Sequence, residues 1–235
     1  MRLYRFPEGE DVAKDIRDRY GYSGPLLDIF VNNAGPGVHK WHHYIPIYDR
    51  YFSGWRGKPL RFLEIGVNKG GSLQMWREYF GEKAVIYGID INPKCAEFDG
   101  QSGQVRIGSQ DDPEFLAGIV EEMGGLDIVL DDGSHQMLHV HKSLEVLYPL
   151  LDVGGLYLIE DLHTAYLPRY GGGFDKRGNF FNTVRRIIDD MHRWYHRQPF
   201  RHEAIAGQVS AIHVHDSVLV LEKSTPTAPT HSRIS

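Results

Sequence analysis

Short apolar runs alternate with amphipathic stretches from residue 60 to residue 222, and this alternation leaves few folds open to the chain. Runs of β-branched and large apolar residues that end in glycine or an acid are typical of buried parallel strands. Five such strands are predicted, at residues 60–67, 84–90, 104–108, 126–131 and 155–160. With helical stretches between them, the pattern predicts an α/β fold with a doubly wound parallel sheet.

Two more strands are predicted near the end of the chain, at residues 208–213 and 217–222. Only residues 214–216 separate them, which is too short for a crossover helix, so they should form an antiparallel hairpin at the end of the sheet. Apolar spacing predicts helices at residues 72–79, 113–123, 137–151 and 179–197.

The chain has 235 residues, the length of one domain, so we interpret residues 1–235 as a single domain. Residues 60–223 form its predicted core. Residues 1–57 are rich in aromatic side chains and are predicted to be a helical cover over the carboxyl edge of the sheet. Residues 162–178, with Pro168 and three consecutive glycines, are predicted to be a lid loop, and residues 225–235 a flexible tail.

The composition excludes several classes of protein. A formal net charge of −5 argues against a nucleic-acid partner, and no apolar run is long enough to predict a membrane span. The single cysteine, Cys95, excludes an internal disulfide framework and, with no cleavable leader in residues 1–10, predicts a cytoplasmic protein. The aromatic-rich N-terminal segment predicts a homodimer.

A glycine-rich turn at residues 64–72 follows the first strand and leads into a helix, where a nucleotide-type cofactor usually lies. Asn68 stands where a dinucleotide fingerprint needs glycine, so a cofactor without a pyrophosphate is predicted. S-adenosylmethionine fits, because Glu64, Gly66 and Ser72 can offer an acid and backbone N–H groups to its ammonium and carboxylate. The alternative is that these glycines only turn a strand into a helix.

Acids at the ends of the next strands extend this predicted pocket. Asp90 ends the second strand, where an acid can accept both hydroxyls of an adenosine ribose. Asp111 follows the third strand and can accept from the adenine amino group, with Gln110 beside it. Asp131, at the end of the fourth strand, is also predicted to belong to the cofactor site.

The fourth and fifth predicted strands both end in paired acids. In a parallel sheet these ends lie side by side, so Asp132, Glu160 and Asp161 are predicted to bind Mg²⁺ or Mn²⁺. The alternative, in which the acids cap helices or face solvent, leaves their mutual repulsion uncompensated. His135 lies three residues beyond Asp132 and is predicted to be a general base, whereas His139 is predicted to lie on the exposed side of its helix.

Three segments resemble the metal-dependent sugar O-methyltransferases of the macrocin and mycinamicin type, and also mycobacterial enzymes that methylate rhamnosides or methylmannose polysaccharides. They are residues 62–72, Asp-Asp-Gly-Ser-His at residues 131–135, and Ile-Glu-Asp-Leu-His-Thr at residues 159–164. The resemblance spans residues 40–223. It implies a class I methyltransferase (Rossmann-like) fold, magnesium bound by the acids just named and His135 as the base. A Thr-Asp-Lys element of the family is Val-His-Lys at residues 38–40 here, so His39 departs from the family pattern, whereas Lys40 and Tyr44 remain cofactor-binding candidates.

The function implied is an O-methyltransferase that depends on S-adenosylmethionine and magnesium and acts on a sugar hydroxyl of a glycoside or oligosaccharide. His163 and Tyr166, in the predicted lid, are expected to contact the sugar. Two alternatives stay open at this point. One is a methyltransferase of catechol-like small molecules, and the other is a catalytically silent module that only binds the adenosyl group.

Overall fold

The computed structural model describes residues 4–198 and 204–234 and contains one mixed sheet of seven strands between two layers of helices. The strands are β1 (Leu60–Ile65), β2 (Ala84–Asp90), β3 (Gln104–Ile107), β4 (Ile128–Asp131), β5 (Leu156–Ile159), β6 (Val209–Val214) and β7 (Leu219–Lys223). Their order in the sheet is β3-β2-β1-β4-β5-β7-β6. The first five are parallel, and β7 pairs antiparallel with both β5 and β6. The predicted doubly wound sheet and its C-terminal hairpin are confirmed.

Seven α-helices are described in these residues: α1 (Val12–Tyr20), α2 (Pro25–Val31), α3 (Tyr44–Phe52), α4 (Gly71–Phe80), α5 (Pro113–Met123), α6 (Met137–Leu150) and α7 (Phe181–Met191). α5 shows how local sequence sets an end, because Pro113 is its first residue and Asp112 accepts hydrogen bonds from two backbone N–H groups of the first turn. Apolar side chains of α5, α6 and α7 bury one face of the sheet. Those of α1, α2, α3 and α4 bury the other.

The N-terminal helices differ from their predicted placement. Tyr48 and Phe52 of α3 pack with Phe62 and Trp76 in the core beneath one sheet face, so the helices cover that face rather than the carboxyl edge. The reason is apolar burial, since these aromatic side chains are almost fully removed from water in that core. The segment just before α3, residues 37–43, is here called the N-terminal strap, and its residues 37–41 line the carboxyl edge. From α3 itself, the hydroxyls of Tyr44 and Tyr48 also reach acids at this edge.

α7 is shorter than the predicted helix over residues 179–197. It ends at Met191, and a separate 3-10 turn spans Arg193–Tyr195, where Trp194 and Tyr195 are exposed. Buried Asp190 accepts a hydrogen bond from the Gly207 backbone N–H, which fixes the end of α7 beside the chain that leads to β6. The apolar spacing in the sequence therefore extends beyond Met191, the residue at which α7 ends.

The predicted lid, residues 162–178, contains two short 3-10 helices, Leu162–Tyr166 and Pro168–Tyr170. Its first turn is held by Leu162, Thr164 and Ala165, which are all buried. Residues 225–234 form no helix or strand and are largely exposed. Among the residues described, no helix is both long and apolar enough to cross a membrane.

Strand register determines which side chains meet at the carboxyl edge. Ile65 pairs with Ile89 of β2 on one side and with Asp131 of β4 on the other, and Asp131 in turn pairs with Ile159 of β5. The residues that follow these strand ends therefore lie next to one another. They are Gly66, Asp90, Asp132 and Glu160.

Candidate active site

A cavity of about 400 Å³ opens at this edge, in the size range of small-molecule sites. Nine of the predicted site residues line it: Lys40, Gly66, Ser72, Asp90, Gln110, Asp132, His135, Glu160 and Asp161. The other predicted site residues do not line it: Tyr44, Glu64, Asp111, Asp131, His163 and Tyr166.

The turn after β1 brings its backbone close to β4. Gly66 has φ of +102°, and a Cβ added there would overlap with the carbonyl oxygen of Asp132, so only glycine fits without movement. Asn68 is also left-handed, with φ of +49°, and its backbone N–H donates to Asp90 Oδ2 over 2.9 Å. Asp90 Oδ1 accepts from the Asn92 backbone N–H over 2.8 Å. Backbone donors thus fix the Asp90 carboxylate at the wall of the cavity.

Two of the predicted cofactor acids lie behind the cavity wall. Glu64 is fully buried and accepts hydrogen bonds from Ser72 Oγ at 2.8 Å and Trp76 Nε1 at 3.3 Å; burial raises its pKa to about 7. Asp131 accepts from Ser143 Oγ at 2.6 Å and Gln110 Nε2 at 3.1 Å, and burial raises its pKa. Both carboxylates tie strand ends to the neighbouring helices and loops.

One end of the cavity has a polar network that the sequence did not predict. Gln110 Oε1 accepts from the Ser134 backbone N–H at 2.7 Å, and Ser134 Oγ lies 2.9 Å from His139 Nδ1. His139 Nε2 is 3.5 Å from Asp111 Oδ2. The prediction that His139 lies on the exposed side of its helix is wrong, because the residue is partly buried and lines the cavity. His135 is four residues away but precedes α6, which begins at Met137, so helical spacing alone does not bring the two rings together.

Asp132, His135 and Asp161 form a group with the spacing of a metal site, because one ligand atom from each lies within 4.8 Å of the others. His135 Nε2 is 3.9 Å from Asp132 Oδ1 and 3.7 Å from Asp161 Oδ2. Two carboxylate oxygens beside an imidazole suit a divalent cation such as Mg²⁺ or Mn²⁺. His135 and Asp161 both have left-handed backbone, with φ of +56° and +55°. Such strained residues often occur at functional sites.

The second oxygen of each carboxylate is held from the N-terminal side. Asp132 Oδ2 accepts from Lys40 Nζ at 2.6 Å. Asp161 Oδ1 accepts from the Tyr44 hydroxyl at 2.7 Å and from Trp41 Nε1 at 3.1 Å. The N-terminal strap and the start of α3 therefore leave one oxygen of each acid directed toward His135.

Glu160 has a different environment from the other two acids. Its Oε1 accepts from Lys40 Nζ at 2.8 Å and from the Tyr48 hydroxyl at 2.6 Å. Burial alone would lower the pKa of Lys40, but the carboxylates of Asp132, Glu160 and Glu64 raise it above its usual value, so the ammonium is charged. Trp41 and Tyr48 were not predicted as site residues. Their only sequence signal was membership of the aromatic N-terminal segment.

The two predicted sugar-contacting residues lie outside the cavity wall. His163 Nδ1 is 2.6 Å from Ser217 Oγ, and its ring meets Trp41 edge-on with centroids 5.9 Å apart. Tyr166 is about half exposed and stacks on Phe181 at 5.6 Å. Tyr166 is at the surface, whereas His163 is partly buried, and its Nε2 is buried without a hydrogen-bond partner among the described residues.

Comparison with known proteins finds relatives that are named as methyltransferases. Residues 63–162 match a methyltransferase domain family. The chain is 38% identical over 234 residues to 8-demethyl-8-(2-methoxy-alpha-L-rhamnosyl)-tetracenomycin-C 3'-O-methyltransferase of Streptomyces olivaceus, covering 94% of this chain and 60% of that protein. It is 38% identical to mycinamicin VI 2''-O-methyltransferase of Micromonospora griseorubida, covering 77% and 48%.

The solved structures include the MycE methyltransferase of the mycinamycin biosynthetic pathway. Its complex with Mg and SAH has a TM-score of 0.76 and 33% identity, covering 87% of this chain and 55% of MycE. Its complex with Mg, SAH and mycinamycin VI has a TM-score of 0.73 and 32% identity, covering 92% and 54%. The chain spans about half of the length of the relatives that it matches, between 48% and 60% for the two curated proteins above.

Proposed function

Since the chain is a homologue of the sugar O-methyltransferases of the macrocin and mycinamicin type and has a methyltransferase domain of class I fold, we propose that it methylates a sugar hydroxyl of a glycoside. S-adenosylmethionine is the proposed methyl donor, and Mg²⁺ or Mn²⁺ the proposed metal. The similarity to mycobacterial enzymes stays a prediction.

One observation carries this proposal: a metal-type donor set and a nucleoside-type wall share one cavity. Asp132, His135 and Asp161 lie at one part of it, and Gly66 and Asp90 at another. A methyl transfer needs a donor and an acceptor held together, with a group nearby to receive the hydroxyl proton. The cavity therefore supports methyl transfer better than it supports metal binding alone or cofactor binding alone.

The roles proposed for the other site residues are those predicted from the sequence, and the cavity lining supports them for Lys40, Gly66, Ser72, Asp90 and Gln110. Asp90 accepts the ribose hydroxyls, and Gln110 with Asp111 recognises the adenine. Gly66, Ser72, Lys40 and Tyr44 are proposed for the amino-acid end, with Glu64 and Asp131 supporting the turn from behind. His163 and Tyr166 in the proposed lid would contact the sugar.

His135 is proposed as the base because its Nε2 lies between Asp132 and Asp161, where an acceptor hydroxyl would be placed. A divalent cation, when bound by Asp132 and Asp161 with Glu160 nearby, supplies a positive charge that lowers the pKa of a neighbouring hydroxyl. His135 then receives the proton at Nε2. Asp132 and Asp161 orient the acceptor, and their own orientation is set by Lys40, Trp41 and Tyr44.

The proposed acceptor is a 6-deoxysugar attached to an aglycone. The names of two relatives from Streptomyces olivaceus specify rhamnosyl tetracenomycin, and other relatives act on mycinamicin VI and demethylmacrocin. The further proposal is that the chain is a cytoplasmic homodimer without nucleic-acid or membrane partners. The net charge of −5 and the single cysteine support the cytoplasmic location and the absence of a nucleic-acid partner. The homodimer stays a prediction, because Tyr44, Tyr48 and Phe52 of the aromatic segment that suggested it are buried within the chain.

A panel of acceptors tests the proposed function. The purified chain is incubated with methyl-labelled S-adenosylmethionine and Mg²⁺, together with a rhamnosyl glycoside, a hexosyl glycoside with its 6-hydroxyl, or a catechol. We expect label to appear in the rhamnosyl glycoside. Label only in the catechol would favour the small-molecule alternative. Binding of S-adenosylhomocysteine with no labelled acceptor in the panel would favour the silent module.

A further inference from the structure

The ammonium of Lys40 occupies the centre of a group of three carboxylates. Its Nζ lies 2.6 Å from Asp132 Oδ2, 2.8 Å from Glu160 Oε1 and 3.9 Å from Glu64 Oε1. The Lys40 side chain is only 2% exposed. Within residues 4–198 and 204–234, no other Lys or Arg nitrogen lies within 4.0 Å of these three acids. Lys40 is therefore their main compensating charge.

Lys40 also contacts two of the three acids that were predicted to bind metal. Asp132 is shared, because Oδ2 faces Lys40 while Oδ1 faces His135. Glu160 is more fully engaged, since its Oε1 accepts from both Lys40 and Tyr48. A second cation near these acids meets a positive charge already in place, and in a buried site that repulsion is weakly screened.

We propose that Lys40 is a built-in cation that competes with the divalent metal for Asp132 and Glu160 and thereby limits the metal affinity of the site. This inference rests on the metal-binding part of the proposed function. The Lys40 ammonium reduces the mutual repulsion of Asp132, Glu160 and Glu64. The same charge weakens the attraction of Glu160 for a metal, because Lys40 already neutralises part of the charge of that carboxylate.

Replacement of Lys40 by methionine separates this role from a structural one. Methionine is unbranched and flexible, so Lys40→Met fills most of the buried stem without the charge. Loss of a purely structural contact would loosen the acids and weaken metal binding. Loss of a competing cation should instead tighten it, because the site gains one net negative charge and Glu160 becomes free to bind.

The experiment is calorimetric titration of the whole chain with Mg²⁺ and with Mn²⁺ after removal of metal by chelation. We expect Lys40→Met to lower the Kd for both ions by at least about tenfold, an effect in the range of one buried charge. Its melting temperature without metal should fall, and added metal should restore it. The control is Lys58→Met, which removes an exposed lysine outside the site and should leave the Kd unchanged.

A charge-compensated pair keeps the test informative where Lys40→Met alone does not fold. The double variant Lys40→Met with Glu160→Gln has the same net charge as the wild type, and it should bind metal more tightly than Glu160→Gln alone. Equal or weaker binding in the lysine variants, with normal binding in the wild type, would overturn the inference about Lys40 only. If neither wild type nor Lys40→Met binds a cation, the metal part of the proposed function fails as well. Binding by Lys40→Met alone would support the inference.

Discussion

His135 combines three properties that are seldom found in one side chain. Its backbone is left-handed, its ring lies edge-on to Tyr170 at 6.4 Å, and its Nε2 lies less than 4 Å from two acids. The cost of a left-handed residue that is not glycine is accepted where the surrounding structure holds it in place. This position allows a base, a metal ligand or a residue that only packs, and the three roles can be separated experimentally.

The informative variant is His135→Asn, because asparagine tolerates the left-handed backbone better than alanine does. As a base, His135 should contribute roughly 10²–10⁴-fold to kcat, and the variant should lose that much while its Kd for Mg²⁺ and S-adenosylhomocysteine changes little. Parallel kinetics and calorimetry at saturating substrate measure both quantities. A large loss of Mg²⁺ affinity would identify His135 as a ligand instead, and unchanged kcat would show that it only packs there.

The acids of the site could be predicted from the sequence, whereas the residues that hold them could not. Asp90, Asp132, Glu160 and Asp161 follow recognisable strands, and parallel strand ends meet at one edge. The bonds from Lys40, Trp41 and Tyr48 to these acids join residues at least 92 positions apart. Neither periodicity nor local spacing carries information on such pairs. Lys40 and Tyr44 were named only through a family resemblance.

At the scale of elements, the turn from β1 to α4 determines the shape of the cavity. Gly66 takes a backbone conformation that disfavours other residues, and it lies directly against the Asp132 carbonyl. The turn therefore couples the nucleoside side of the cavity to the strand end that carries a candidate metal ligand.

Gly66→Ala should disturb this turn. The added methyl group must displace β4 backbone or the turn itself, so we expect a loss of about 1–3 kcal/mol in the free energy of unfolding. The affinity for S-adenosylhomocysteine should fall by at least about tenfold, which corresponds to roughly 1.4 kcal/mol. Urea denaturation and calorimetry measure the two effects.

Gly118→Ala is the matched control. Gly118 lies in α5, and a Cβ there would meet no other atom within 4 Å. Alanine should raise the free energy of unfolding by about 0.5–1 kcal/mol and leave cofactor affinity unchanged. Normal cofactor affinity in Gly66→Ala would show that the turn does not shape the binding site.

Strands and helices differed in how well their ends could be predicted. The strands were found within two residues, because buried runs end at glycine or an acid. α7 was predicted to be too long, since Trp194 and Tyr195 continue its apolar spacing although they lie exposed in the next turn. The sequences of α1, α2 and α3 do not indicate which surface of the sheet these helices cover, because that depends on tertiary packing.

At the scale of the whole molecule, the two faces of the sheet provide the buried apolar cores, and its carboxyl edge carries the candidate active site. Two apolar cores cover its faces, while the cavity at the carboxyl edge collects acids from the ends of β2, β4 and β5 and the ammonium of Lys40 from the N-terminal strap. This division is the general plan of open α/β sheets, in which ligands bind beyond the carboxyl ends of the strands. The chain retains this plan although it spans only about half of the length of its relatives.

The most direct test of the proposed function is the metal dependence of methyl transfer. Transfer of the labelled methyl group from S-adenosylmethionine to a rhamnosyl glycoside is measured with Mg²⁺, after addition of EDTA, and after Mg²⁺ is restored in excess. We expect turnover with Mg²⁺, loss of nearly all turnover in EDTA and recovery when Mg²⁺ returns, because Asp132 and Asp161 cannot activate the acceptor without a cation. Undiminished turnover in EDTA would contradict the proposed function.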